Sequence, residues 1–68
     1  MYKNLNAEMS RHDIKNKDIA TKLNITTSTA SLKVNGKAKV TLQQAWSIQD
    51  LFLEKAGVNF TLDYLFKI

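Results

Sequence analysis

Side chains that commonly carry out chemistry are scarce in this sequence. Its only histidine is His12 and it has no cysteine, so neither a thiolate set nor a multi-histidine metal site can be assembled, and no disulfide framework exists. Glu8 with Asp13, and Asp50 with Glu54, bring carboxylates near one another in sequence, but each pair has the spacing of ordinary charge on a helix surface. No nucleophile–base pair or glycine-rich phosphate loop accompanies them, as catalysis would require. Neither enzymatic activity nor a bound cofactor or metal is expected. What the sequence does offer is uneven charge. Ten Lys and Arg against six Asp and Glu give +4, yet residues 1–41 hold eight basic and three acidic side chains, net +5, while residues 42–68 hold two and three, net −1. A basic part followed by a near-neutral, aromatic-rich part fits one surface for a polyanion and another for packing or self-association. The alternative is a lysine-rich face that is merely solvated.

Those charges must be held by a small scaffold. A chain of 68 residues forms one domain, 1–68, and buries so little apolar surface that it needs to be largely helical or oligomeric. Hydrophobic residues make up 44% and charged residues 24%, the balance of a folded domain rather than a disordered segment. Apolar runs are short, and the opening Met-Tyr-Lys-Asn lacks the apolar stretch and cleavage site of a signal peptide. A protein that is neither exported nor membrane-spanning is expected, which leaves the sequons Asn24-Ile25-Thr26 and Asn59-Phe60-Thr61 as chance matches.

With no proline and only Gly36 and Gly57 as glycines, the chain has few breakers, and the apolar spacing between them is helical. Five helices are predicted. The first runs from about Tyr2 or Asn4 to Arg11 with Leu5, Met9 and His12 on one face; Ile14 then enters the core. The second spans about Asn16 to Leu23, with Ile19 and Leu23 four apart and Ala20 beside them where another backbone can approach. Asn24 ends it in a left-handed conformation, and Ile25 follows as a buried pin. Thr26 caps the third helix, which continues to about Val34 before Asn35-Gly36. The fourth starts after Thr41, turns Leu42, Ala45, Ile48, Leu51 and Phe52 inward, and stops at Gly57. Thr61 caps a last single turn containing Leu62, Leu65 and Phe66. No segment alternates with period two as a sheet strand would, so the fold class is all-α. Trp46 lies at the edge of the inward stripe of the fourth helix. Phe52, Leu53, Phe60, Tyr64, Phe66 and Ile68 supply more apolar surface than a small helical core needs. Trp46, Phe52, Phe60 and Phe66 are therefore candidates for contact with a second copy.

Residues 16–34 set two short helices on either side of about three residues, the spacing of a helix-turn-helix. Ala20 allows the helices to cross closely, Asn24 supplies the turn, and Ile25 closes the angle from inside. The run Ile19-Ala20-Thr21-Lys22-Leu23-Asn24-Ile25-Thr26, followed by Ser28-Thr29-Ala30-Ser31 and Asn35-Gly36-Lys37, resembles the Cro/repressor class of phage-type helix-turn-helix domains, the XRE family, from roughly Leu5 to Leu65. The resemblance implies a lambda-repressor-like arrangement of five short helices. It also implies a transcription regulator that binds double-stranded operator DNA as a homodimer in the cytoplasm of a bacterial or phage-infected cell. There are departures from the family pattern. Asn24 stands where the family usually has Gly, a substitution the left-handed turn permits. The positions of a recurrent Arg–Glu pair match Met9 and Val34, an apolar contact that need not cost stability. Lys33 occupies a usually aliphatic place, with Val34 taking the apolar role one residue later. The stretch from Ile48 to Leu65 is longer than is common, which predicts an extended fourth helix or an extra loop.

By the resemblance, the third helix enters the major groove with Thr27, Ser28 and Leu32 at base-facing positions and Ser31 beside them. Thr and Ser are short donors and acceptors, and Leu32 can touch only apolar groups such as a thymine methyl. With no Arg, Gln or Asn there for a bidentate purine contact, DNA shape or bridging water would supply the remaining selectivity. Asn16 and Thr26 stand at helix starts whose free N–H groups suit a phosphate, and Lys17 adjoins the first of them. Asn35, Lys37 and Lys39 follow the third helix where the family meets the DNA backbone. Each assignment has a plainer rival: a helix cap for Thr26, solvated surface for the other hydroxyls, a solvated loop for Lys37 and Lys39. A second functional reading keeps the fold but binds a protein, such as a repressor, antirepressor or toxin.

Overall fold

The chain turns from helix to helix at residues that either tolerate a left-handed backbone or offer a capping oxygen. A computed structural model, which describes residues 2–67, contains α1 (Lys3–Arg11), α2 (Asn16–Leu23), α3 (Thr27–Val34), α4 (Leu42–Ala56) and α5 (Leu62–Leu65). No strand occurs among the described residues, and Ile68 lies outside them. Three helices begin at threonines, as expected. Thr26, Thr41 and Thr61 accept the N–H groups of Thr29 at 3.2 Å, Gln44 at 3.1 Å and Tyr64 at 3.2 Å, each satisfying a donor that the helix itself cannot. Gln44 Oε1 returns the bond to Thr41 N–H at 3.2 Å, completing a capping box. α2 starts differently: the Lys15 N–H donates to Asp18 Oδ2 at 2.9 Å.

Two helix ends close in the same way. Asn24 is left-handed (φ 57°) and Ile25 N–H reaches back to the Ala20 carbonyl at 2.9 Å. Asp13 is also left-handed (φ 55°), with Ile14 N–H on the Met9 carbonyl at 2.8 Å. In both cases a six-residue loop satisfies an orphan carbonyl and throws the next apolar side chain back toward the interior. The second closure was not anticipated for Asp13.

The core joins Leu5 and Met9 of α1, Ile14, Ile19 and Ala20 of α2, Ala30 and Val34 of α3, Ile48, Leu51 and Phe52 of α4, and Leu65 of α5. Leu23, Ile25, Phe60 and Phe66 pack against it half-buried, so Ile25 supports the α2–α3 angle from the margin instead of from within. Leu42 departs from expectation: it is 59% exposed and lines an open groove with Tyr2, Ala45 and Phe66, because the inward stripe of α4 begins one turn later at Ala45. α2 packs on both α3 and α4, and α5 packs on α1 and α4. Lys22 pairs with Glu54, and Lys55 lies 3.5 Å from Asp18, so two opposite-charge pairs tie α2 to the C-terminal end of α4. α4 is 15 residues long and is followed by residues 57–61 without helix, which accounts for the extra length expected after Ile48.

Candidate nucleic-acid interface

The rotation of α3 decides what it can show to a ligand. Ala30 and Val34 are buried, with 0% and 1% of their surface exposed. At 3.6 residues per turn, Ser28 and Leu32, also four apart but offset by two positions, face the other way. Thr27 and Ser28 are exposed, Leu32 is 46% exposed, and Ser31 is half-buried on the flank, its hydroxyl 3.5 Å from Asn35 Nδ2. Val34, not Lys33, occupies the inward position; Lys33 turns out and donates from Nζ to the Lys39 carbonyl at 2.7 Å. The far end of α3 is held from α1, where Asn6 Nδ2 donates to the Val34 carbonyl and to the Tyr2 carbonyl, both at 2.8 Å.

The corner after α3 is built on one oxygen. The Leu32 carbonyl accepts the N–H groups of Lys37 at 2.9 Å and Ala38 at 3.2 Å, and Gly36 takes φ 75° to make the turn, a conformation that costs glycine little. Lys37 and Lys39 are left exposed beyond it. Among the described residues, Lys17, Lys37 and Lys39 pair with no carboxylate, whereas Lys22 and Lys55 are bound to Glu54 and Asp18. The uncompensated positive charge thus includes the loop that leaves α3.

The two helix starts proposed for an anion differ. The Thr26 hydroxyl is occupied: it accepts the Thr29 N–H and lies 2.9 Å from Thr29 Oγ1, so its side chain is a cap and only backbone donors remain for a phosphate. At α2, Asn16 is half-buried and Lys17 exposed, but the positive end of the helix already holds the Asp18 carboxylate. That carboxyl sits below the usual carboxylate range, chiefly through the hydrogen bond from Lys15 N–H, with Lys55 and Lys17 reinforcing it against burial. A phosphate at Asn16 would share this end with the Asp18 carboxylate, whereas exposed Lys17 can meet one away from it.

The aromatic candidates for self-association need correction. Phe52 is wholly buried (0% exposed) and meets Phe60 edge-on at 5.4 Å between centroids, so it is unavailable to a partner. Phe60 also packs against His12 and stacks on Tyr64, and Phe66 meets Tyr2 edge-on at 5.2 Å; both are largely engaged within the chain. Trp46 alone of the four is open, 53% exposed, with Leu42 and Leu53 (49%) near it on α4.

Glu8, whose spacing suggested ordinary charge on a helix surface, is instead only 3% exposed. Its Oε2 accepts from Tyr64 Oη at 2.7 Å, while His12 Nε2 and Arg11 Nη1 lie 3.5 and 3.7 Å from Oε1. Donating to Glu8 raises the Tyr64 phenol above its ordinary 10.0, with burial and the nearby carboxylate charge adding to the effect. The signal was present: Glu8 follows Leu5 by three residues and precedes His12 by four, which puts it on the inward face of α1. Among the described residues no three His, Cys, Asp or Glu side chains cluster as a metal site would, and no helix is long and apolar enough to cross a membrane. No protein-family model, curated protein or solved structure matches the chain.

Proposed function

We propose that α2, the turn at Asn24–Thr26 and α3 work as a helix-turn-helix of the XRE type, and that the protein is a sequence-specific DNA-binding regulator whose α3 enters the operator major groove. One observation carries the reading: the outward face of α3, with Thr27, Ser28 and Leu32, is open to solvent beside a loop whose Lys37 and Lys39 have no carboxylate partner among the described residues. In this arrangement Thr27, Ser28, Leu32 and the flanking Ser31 meet base edges. Lys17, Lys37, Lys39 and Asn35 meet phosphates and set register and affinity. The partner is double-stranded DNA, bound by two copies whose recognition helices lie about 34 Å apart on a pseudo-palindrome. No cofactor is involved, and the site of action is the cytoplasm of a bacterial or phage-infected cell.

The exposed Leu42, Trp46 and Leu53 on α4 favour one rival, a module of the same fold that binds a repressor, antirepressor or toxin. Selection of sites from a random duplex pool, followed by gel shift at two salt concentrations, separates the two. A selective complex is expected; its absence at low salt would favour the protein-binding module. Lys37→Ala should weaken binding across all sequences and reduce the salt slope by about one unit, while Thr27→Ala or Ser28→Ala should change base preference. Equal effects of both kinds of substitution on selected and random DNA would contradict this division of roles.

A further inference from the structure

We infer that the protein discriminates among bases through the C5-methyl group of pyrimidines, and that Leu32 is the side chain that does so. The inference rests on the DNA-binding reading above. Of the larger side chains on α3, Val34 is buried and Lys33 is held at the Lys39 carbonyl, which leaves Leu32, 46% exposed, as the one projecting from the outward face. Its neighbours there, Thr27, Ser28 and Ser31, end one heavy atom beyond Cβ and reach less far. An isobutyl group pressed against a polar base edge removes water from donors and acceptors and gives them no bond in return. The apolar group that the major-groove edge presents is the thymine methyl, and cytosine has only hydrogen at that carbon. Leu32 therefore favours thymine over cytosine, and 5-methylcytosine over cytosine, wherever it reaches.

Leu32 is also coupled to the loop that follows α3. The Leu32 carbonyl receives the N–H groups of both Lys37 and Ala38, so the apolar probe and the proposed phosphate anchor Lys37 belong to one hydrogen-bonded corner. Lys37 and Leu32 therefore approach DNA together, the flexible lysine stem adjusting to the phosphate.

The test replaces each thymine of a selected duplex in turn by deoxyuridine, which keeps every hydrogen-bonding group and lacks only the methyl. At the thymine covered by Leu32, the wild-type protein should bind about fourfold more weakly, equivalent to about 0.8 kcal/mol for one buried methyl-sized group. A 5-methylcytosine in place of cytosine at that step should strengthen binding by a similar factor. Leu32→Ala, with helix content checked by circular dichroism, should bind the thymine and deoxyuridine duplexes equally. Selective binding indifferent to every methyl would overturn the inference and leave the DNA reading standing. A methyl effect that survives in Leu32→Ala would overturn the role of Leu32. Absence of any selective complex at low salt would overturn both readings.

Discussion

Thr26 and Thr27 carry the same hydroxyl and have different surroundings. The Thr26 oxygen is engaged by Thr29, while Thr27 is exposed in the first turn of α3. Thr26→Ala should therefore cost about 1 kcal/mol of stability, the usual loss for an N-cap, and leave base preference unaltered. Thr27→Ala should change stability by less than about 0.5 kcal/mol and alter base preference. Urea midpoints and site selection on both variants check this; equal stabilities would remove the cap from Thr26. Such a cap is readable from sequence because it is local. Glu8 was not read, because a carboxylate on a short helix is ordinarily solvated and the partner that changes this, Tyr64, is 56 positions away. Its burial has a pH consequence. The Tyr64 phenol is raised above 10.0 in the folded chain, first by donating to Glu8, so its contribution to stability is complete below the unfolded value and is lost as pH rises through the higher folded one. Ultraviolet titration of Tyr64, read with Tyr2→Phe in place, should move back toward 10.0 in Glu8→Ala; an unmoved titration would assign the shift to burial instead.

At the scale of the helix, what counts is how α3 is aimed. Its near end is set by the left-handed Asn24 (φ 57°) and its far end by Asn6 on the Val34 carbonyl. Asn24→Gly should be neutral or stabilising, whereas Asn24→Ala should cost about 1–2 kcal/mol, because a Cβ crowds the left-handed backbone. Asn6→Ala should lower DNA affinity although Asn6 lies on α1, outside the proposed interface, since it frees the end of α3 from α1; an affinity equal to wild type would show that core packing alone aims the helix. The two anchors were unequally legible. Asn24 lies next to the last apolar residue of a periodic run, the place where turn chemistry is decided locally. Asn6 acts across 28 residues, and its spacing does not distinguish it from a solvated side chain. The same reasoning covers Asp13, whose left-handed turn is imposed by Ile14 returning to the core, and Leu42, whose apolar character suggested an inward position that the register of α4 does not provide. The rotation of α3 was not legible, because Lys33 stands where an aliphatic side chain is usual; the burial of Ala30 and Val34, four residues apart, fixes it.

For the molecule as a whole, the surface left for a second copy is smaller than the aromatic content suggested. Phe52 is buried, and Phe60 and Phe66 are packed within the chain, so Trp46, Leu42 and Leu53 on α4 remain. A stable interface covers about 800 Å² per partner, close to a fifth of the 4409 Å² that this chain exposes. α4 has 15 residues and is about 22 Å long, so one face of it supplies only part of that area. The free protein should therefore sediment as a monomer at micromolar concentration and pair when a palindrome holds two copies side by side, which raises their effective concentration. Trp46→Ala should reduce cooperative occupation of a full site and leave affinity for an isolated half-site unchanged. If half-site affinity fell to the same extent, Trp46 would be supporting the fold rather than a partner, and the paired arrangement would have to be sought on another face.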